Sequence, residues 1–123
     1  MKTKEWTEAR RKSFIVSALR SGTQRYPPKY TTMNSAKTVK KVNPKSGRLA
    51  QHYKCAGCLN EFPAKEVQVD HIIPVVGPEG FTTWDDYINR LYCSGNNLQV
   101  LCLDCHGIKT KLEREEQTLS RKK

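Results

Sequence analysis

The sequence predicts a small mixed α+β domain closed by a bound metal ion, and three observations predict it. The chain has 123 residues, of which 37% are hydrophobic, the size of one domain but thin for a core held by packing alone. Four of its five cysteines fall in two Cys-x-x-Cys pairs, Cys55/Cys58 and Cys102/Cys105. Around those pairs, short apolar–polar alternations give way to stripes with a helical period.

Lys4 to Ser21 reads as a helix. Trp6, Arg10, Phe14 and Ala18 recur at spacing four, Ile15 and Leu19 widen the stripe, and Gly22 is a stop signal. The stripe is expected to pack on the core, leaving Arg10, Arg11, Lys12 and Arg20 on the other faces. Arg25-Tyr26-Pro27-Pro28-Lys29-Tyr30 is expected to be extended or turn-like because of its prolines. Either a rigid linker or a strand-tracking surface fits it. Asn34 to Lys41 is expected to begin as a short helix.

Thr38–Val42 and Leu49–Lys54 flank Asn43-Pro44-Lys45-Ser46-Gly47-Arg48, the pattern of a hairpin with its lysines outward. The hairpin would deliver Cys55 to the metal, and Phe62-Pro63 would close the turn after the first cysteine pair. Val67 to His71 alternates as a strand, and Pro74 stops it. Gly77, Pro78 and Gly80 make a loop. Thr82 or Thr83 can cap a helix whose stripe is Trp84, Tyr87, Ile88, Leu91 and Tyr92. Ser94-Gly95-Asn96-Asn97 is turn chemistry and Leu98 to Leu101 a second strand. A last helix starts at Asp104, with Ile108 and Leu112 as its buried side. Charged residues from Glu113 onward predict fraying.

Lys and Arg number 22 against 12 Asp and Glu, a formal charge of +10. With no long apolar run and no strongly amphipathic basic helix, that excess favours nucleic acid over a membrane as partner. The first six residues carry charge and no apolar run, so no export signal is expected and the location is expected to be cytoplasmic. Thiolate–metal ligation is then a better reading of the cysteines than disulfides. Two residues within each pair let one turn present both sulfurs to one tetrahedral zinc, with no position left open for chemistry. Cys93 reads as a packing residue, His52 as a surface or packing residue rather than a third catalytic imidazole, and Asp104 as a helix cap.

Asp70, His71 and His106 form the remaining constellation. A neutral imidazole is a suitable base near pH 7, and a carboxylate with a second imidazole can hold a divalent ion against a phosphate. Adjacent strand residues point oppositely, so Asp70 and His71 share a site only where the strand twists or ends.

The run Val69-Asp70-His71-Ile72-Ile73-Pro74, then Asn97-Leu98, then Leu101-Cys102-x-x-Cys105-His106-x-x-Lys109 resembles the HNH nucleases of the ββα-metal (His-Me finger) superfamily. The stretch from Cys55 to Lys109 is similar to the small zinc-stapled HNH proteins common in bacteriophage genomes. The resemblance implies a ββα finger cutting DNA to 5′-phosphate and 3′-hydroxyl ends. His71 would be the general base, with Asp70 and His106 holding one Mg²⁺ or similar ion. Asn97 would hold the loop and orient His71, and Lys109 would touch phosphate. Lys40, Lys41, Lys45, Arg48 and Lys54 are either solvated or a phosphate-tracking strip. The expected organisation is a basic helix-and-hairpin extension over 1–54, the finger over 55–117 and a basic tail over 118–123. The insert from Gly77 to Cys93 departs from a minimal finger. Monomer and homodimer are both open. The alternative is a zinc-stabilised DNA-binding module, or a structural part of a packaging or transcription assembly, without turnover.

Overall fold

The computed structural model describes residues 5–121. The predicted helix start at Lys4 and the last two residues of the basic tail lie outside them. Helix α1 covers Glu8–Gly22 and α2 covers Pro27–Ser35, joined by a 3-10 turn over Thr23–Arg25. Thr7 caps α1, its hydroxyl accepting from Arg10 N at 3.2 Å.

Two expectations for this region are corrected. Trp6 and Phe14 stay 46% and 61% exposed and stack edge-to-face on each other at 5.3 Å. A row at constant spacing four winds around a helix by about 40° per step. Of the predicted stripe Leu19 does face the core, and Val16 joins it there. The tandem prolines start a helix rather than forbid one. At the first two helical positions their fixed φ suits the helix and their missing N–H groups lose no bond. That helix takes in Asn34 and ends at Ser35, so Lys37 already begins a strand.

Strands β1 (Lys37–Val42), β2 (Leu49–Lys54) and β3 (Glu61–Pro63) form an antiparallel sheet in that order. The predicted hairpin is present. Its loop closes through Gly47 at φ +71°, with Gly47 N donating to Asn43 O at 2.8 Å. Phe62-Pro63, expected as a turn, is instead the third strand.

A second sheet pairs β4 (Val67–His71) antiparallel with β5 (Leu98–Cys102), in register from Val67↔Cys102 to His71↔Leu98. Helix α3 (Trp84–Leu91) is inserted between the two strands, and Thr83 rather than Thr82 caps it, accepting from Asp86 N at 3.1 Å. Helix α4 (Leu103–Arg121) leaves β5 directly.

The orientation of α4 reverses its expected amphipathicity. Ile108 and Leu112 are 62% and 55% exposed, while His106, Lys109, Thr110, Glu113 and Gln117 are among the partly buried residues. Polar bonds hold that inner face: Gln117 Nε2 donates to Val76 O at 3.1 Å, and Lys109 reaches β4. Gln117 lies past Glu113, so the helix continues through Arg121 instead of fraying.

Two small clusters make the core. Cys55, Val67, Val100, Leu101 and Cys102 lie where the sheets meet. Val75, Tyr87 and Leu91 lie under α3, against Val16 and Leu19 of α1. Among the described residues no helix is long and apolar enough to cross a membrane.

Candidate functional site

At one end of the β4–β5 pair the four paired cysteines converge. Their sulfurs lie within 4.8 Å of one another, with Cys58 Sγ 4.0 Å from Cys102 Sγ. Sulfurs bound at 2.3 Å to a tetrahedral ion would stand about 3.8 Å apart, so the cluster can hold a metal ion such as zinc. Local turns explain the convergence. Backbone N–H groups of Gly57, Cys58 and Cys102 donate to Cys55 Sγ at 3.3, 3.5 and 3.3 Å, and Cys105 N donates to Cys102 Sγ at 3.4 Å. Burial opposes a charge on Cys55, but those three donors outweigh it and bring the thiol down to about 6. Cys105 is pushed up to about 12 by hydrogen bonding to the Cys102 and Cys55 sulfurs. One sulfur is thus ready to carry charge before an ion neutralises the set.

At the other end β4 finishes at His71. Its Nε2 lies 2.8 Å from the Leu91 carbonyl at the end of α3. A carbonyl only accepts, so Nε2 carries a proton, and in the neutral ring Nδ1 is the nitrogen left as acceptor. Asp70, one residue earlier, turns to α4. Its Oδ1 is 3.5 Å from His106 Nε2, and its Oδ2 is 3.1 Å from Lys109 Nζ and accepts from Gln99 Nε2 at 3.3 Å. Lys109 also donates to His71 O at 2.8 Å and to Glu113 Oε1 at 2.6 Å. Burial works against its ammonium, but the bonds to Glu113 and Asp70 and their charges outweigh it and hold its pKa above the ordinary lysine value.

Asn97 binds the loop that follows β4. Its side chain accepts from Ile73 N at 2.9 Å and donates to Ile73 O at 3.2 Å, and its carbonyl accepts from Ile72 N at 2.9 Å. The chain therefore leaves β4 in a fixed direction immediately after His71. Asp70 and His71 both line an open groove of about 300 Å³, walled by Pro74, Val75 and Val76 and by the α4 residues Thr110, Glu113, Arg114 and Gln117, with Arg20 of α1 opposite. No family model, curated protein or solved structure matches this chain.

The structure thus brings Asp70, His106 and Lys109 into contact, with His71 and Asn97 beside them. Among the described residues no hydrogen bond joins the two imidazoles, and the cysteines are the one group of three or more ligands that converges. Lys109, expected to reach phosphate, has its ammonium turned inward. The hairpin cations stand elsewhere. Lys41 is 3.9 Å from Glu61 and Lys45 is 2.6 Å from Glu66, the residue before β4, so Lys45 sits at the cysteine end. Lys40, Arg48 and Lys54 are exposed on the same hairpin. His52 is buried, its Nδ1 on Ala50 O at 2.9 Å, while Cys93 is half-buried. Sequence reasoning missed Gln99, Glu113 and the Leu91 carbonyl. Glu113 follows Lys109 at the helical ion-pair spacing of four and was legible. A carbonyl acting as a ring partner leaves no sequence signal.

Proposed function

We propose that this chain is a metal-dependent HNH-type endonuclease of DNA, built on a zinc-stapled ββα finger made of β4, β5 and α4. The observation that carries the reading is His71: its Nε2 proton is committed to Leu91 O while Asp70 of β4 and His106 of α4 stand together beside it. Asp70 Oδ1 and His106 Nε2, 3.5 Å apart, are the carboxylate and imidazole that would hold a divalent ion. A divalent ion there would supply positive charge to the phosphate and to the departing 3′ oxygen.

His71 Nδ1 takes a proton from the attacking water. The water oxygen bonds to phosphorus as the P–O3′ bond breaks, the leaving 3′ oxygen takes a proton from solvent and His71 later returns its own to solvent, leaving a 5′-phosphate and a 3′-hydroxyl. Asn97 fixes the direction of the loop after His71, and Leu91 O fixes the tautomer. The cysteine-bound ion is structural: it ties Cys55 to the start of α4 and so sets where His106 stands.

One observation favours the rival reading of a DNA-binding module without turnover. Asp70 Oδ2 is already neutralised by Lys109, as a merely structural carboxylate would be. Supercoiled plasmid incubated with zinc-loaded protein and Mg²⁺, Mn²⁺ or no added divalent ion separates the two. Nicked or linear product that disappears in His71→Ala supports the enzyme. Unchanged plasmid in every lane, with the protein folded, removes it.

A further inference from the structure

The groove beside His71 holds two carboxylates and two guanidiniums, and their charges are not paired with each other. Asp70 and Glu113 share the Lys109 ammonium between them, at 3.1 and 2.6 Å. Arg20 and Arg114 line the same groove, and among the described residues neither is within ion-pair distance of a carboxylate. The one ammonium offsets one of the two carboxylate charges, so with the two arginines the groove keeps a surplus of a single positive charge, and two planar forks of donors are free.

Arg20 is not on a loose end. Tyr92 OH donates to Leu19 O at 2.5 Å, and Tyr26 OH donates to Cys93 O at 2.8 Å. These bonds lock the last turn of α1 and the chain before α2 to the end of α3, whose Leu91 carbonyl holds His71. Gly22 permits that approach, since a Cβ there would come 2.4 Å from Tyr92 OH. One junction therefore positions both the imidazole and Arg20, while Arg114 is fixed by the helix that carries His106 and Lys109.

We infer that Arg20 and Arg114 form a phosphate clamp of this groove, gripping the DNA backbone next to the phosphate presented to His71. The inference rests on the nuclease reading for what His71 does, and on charge and geometry for what the arginines do. It moves the principal phosphate contacts from Lys109, which is internally paired, to two residues of no assigned role. Phosphodiester backbone is the ligand class: a repeating monoanion suits separated guanidiniums along an open groove, and no stacked aromatic rings line it to hold a base.

The test uses zinc-loaded full chain and a short DNA duplex, without added Mg²⁺, so that binding is read apart from cutting. Arg20→Gln with Arg114→Gln should weaken binding at least about tenfold and reduce the slope of log affinity against log salt by about two. The control, Lys65→Gln with Lys111→Gln, removes the same charge away from the groove and should change the slope by less than half as much. With Mg²⁺, the arginine pair should raise KM more than it lowers kcat. An unchanged slope in the arginine variant, or an equal loss in the control, overturns the clamp. If the wild type binds with the expected slope yet cuts nothing, the enzyme reading fails while the clamp stands.

Discussion

The two ends of the β4–β5 pair, about 13 Å apart along the strands, are built on opposite principles. At the Val67–Cys102 end four sulfurs converge at the edge of a buried cluster, with Cys55 and Cys102 buried and Cys58 exposed, and backbone N–H groups close on them. At the His71–Leu98 end an open groove is assembled from β4, the loop that follows it, α4 and the end of α1, and α3 and Asn97 hold its polar strand end from behind. The closed end supplies fixity that the open end lacks. A metal ion held by Cys102 and Cys105 would anchor the start of α4, and polar bonds hold the helix against β4 and the loop after it farther along. A small core can support a solvent-facing site when a metal fixes one end of the elements that form it.

The largest way to break this comparison is at the cysteines. Cys58→Ser or strong chelation should cost cooperative folding itself, because apparent zinc affinities of about 10–16 kcal/mol enter as folding free energy. Far-UV circular dichroism and one bound zinc per chain are the readouts, and a fully folded, metal-free Cys58→Ser protein would refute the division. The open end should respond oppositely. His71→Ala should lower cleavage about 10²–10⁴-fold with little change in melting temperature, since the lost contact is a single bond to Leu91 O. A His71→Ala protein that unfolds would make the imidazole a structural pin.

The same contrast decides what was legible in the sequence. Cys-x-x-Cys spacing states its geometry in one dimension, so the cluster and the strands leading to it were readable, as were the hairpin and the Thr83-capped helix. The orientation of α4 was not. Ile108 and Leu112 have the spacing of a buried stripe, yet Lys109, Glu113 and Gln117 bury the opposite face through bonds to Asp70 and Val76 O. Hydrophobic periodicity cannot anticipate a helix whose inner side is paired polar groups. Pro27-Pro28 misled for a related reason, since proline forbids a helix interior but suits its first turn.

Asn97 sharpens the open end. Asn97→Ala removes both side-chain bonds to Ile73, which should cost about 1–3 kcal/mol of stability. It should lower kcat about tenfold or more through a displaced loop, with KM nearly constant. Equal activity would mean that the strand end needs no external brace.

Lys109 gives a pH signature. Its pKa in the fold lies above the unfolded value of 10.5, so its contribution is complete below that value and is lost as pH rises through the folded one. The melting temperature of Lys109→Met should fall well below wild type at neutral pH, and the gap should narrow as the solution passes above 10.5. A gap that stays constant to strongly alkaline pH would assign the effect to packing of the lysine stem rather than to its charge.

The smallest effect is expected on the outer face of α4. Leu112→Gln should shift stability by less than about 0.5 kcal/mol, because the residue is more than half exposed. If Ile108 and Leu112 faced a packed core, the same change would cost on the order of 2–5 kcal/mol. Urea unfolding of the isolated chain at two protein concentrations discriminates between these. A small, concentration-independent loss leaves α4 held by its polar side alone. A large loss that shrinks on dilution, as the copies dissociate, would mean that the apolar row is covered by a second copy, and the open end would then be braced from outside as well as from the cysteines.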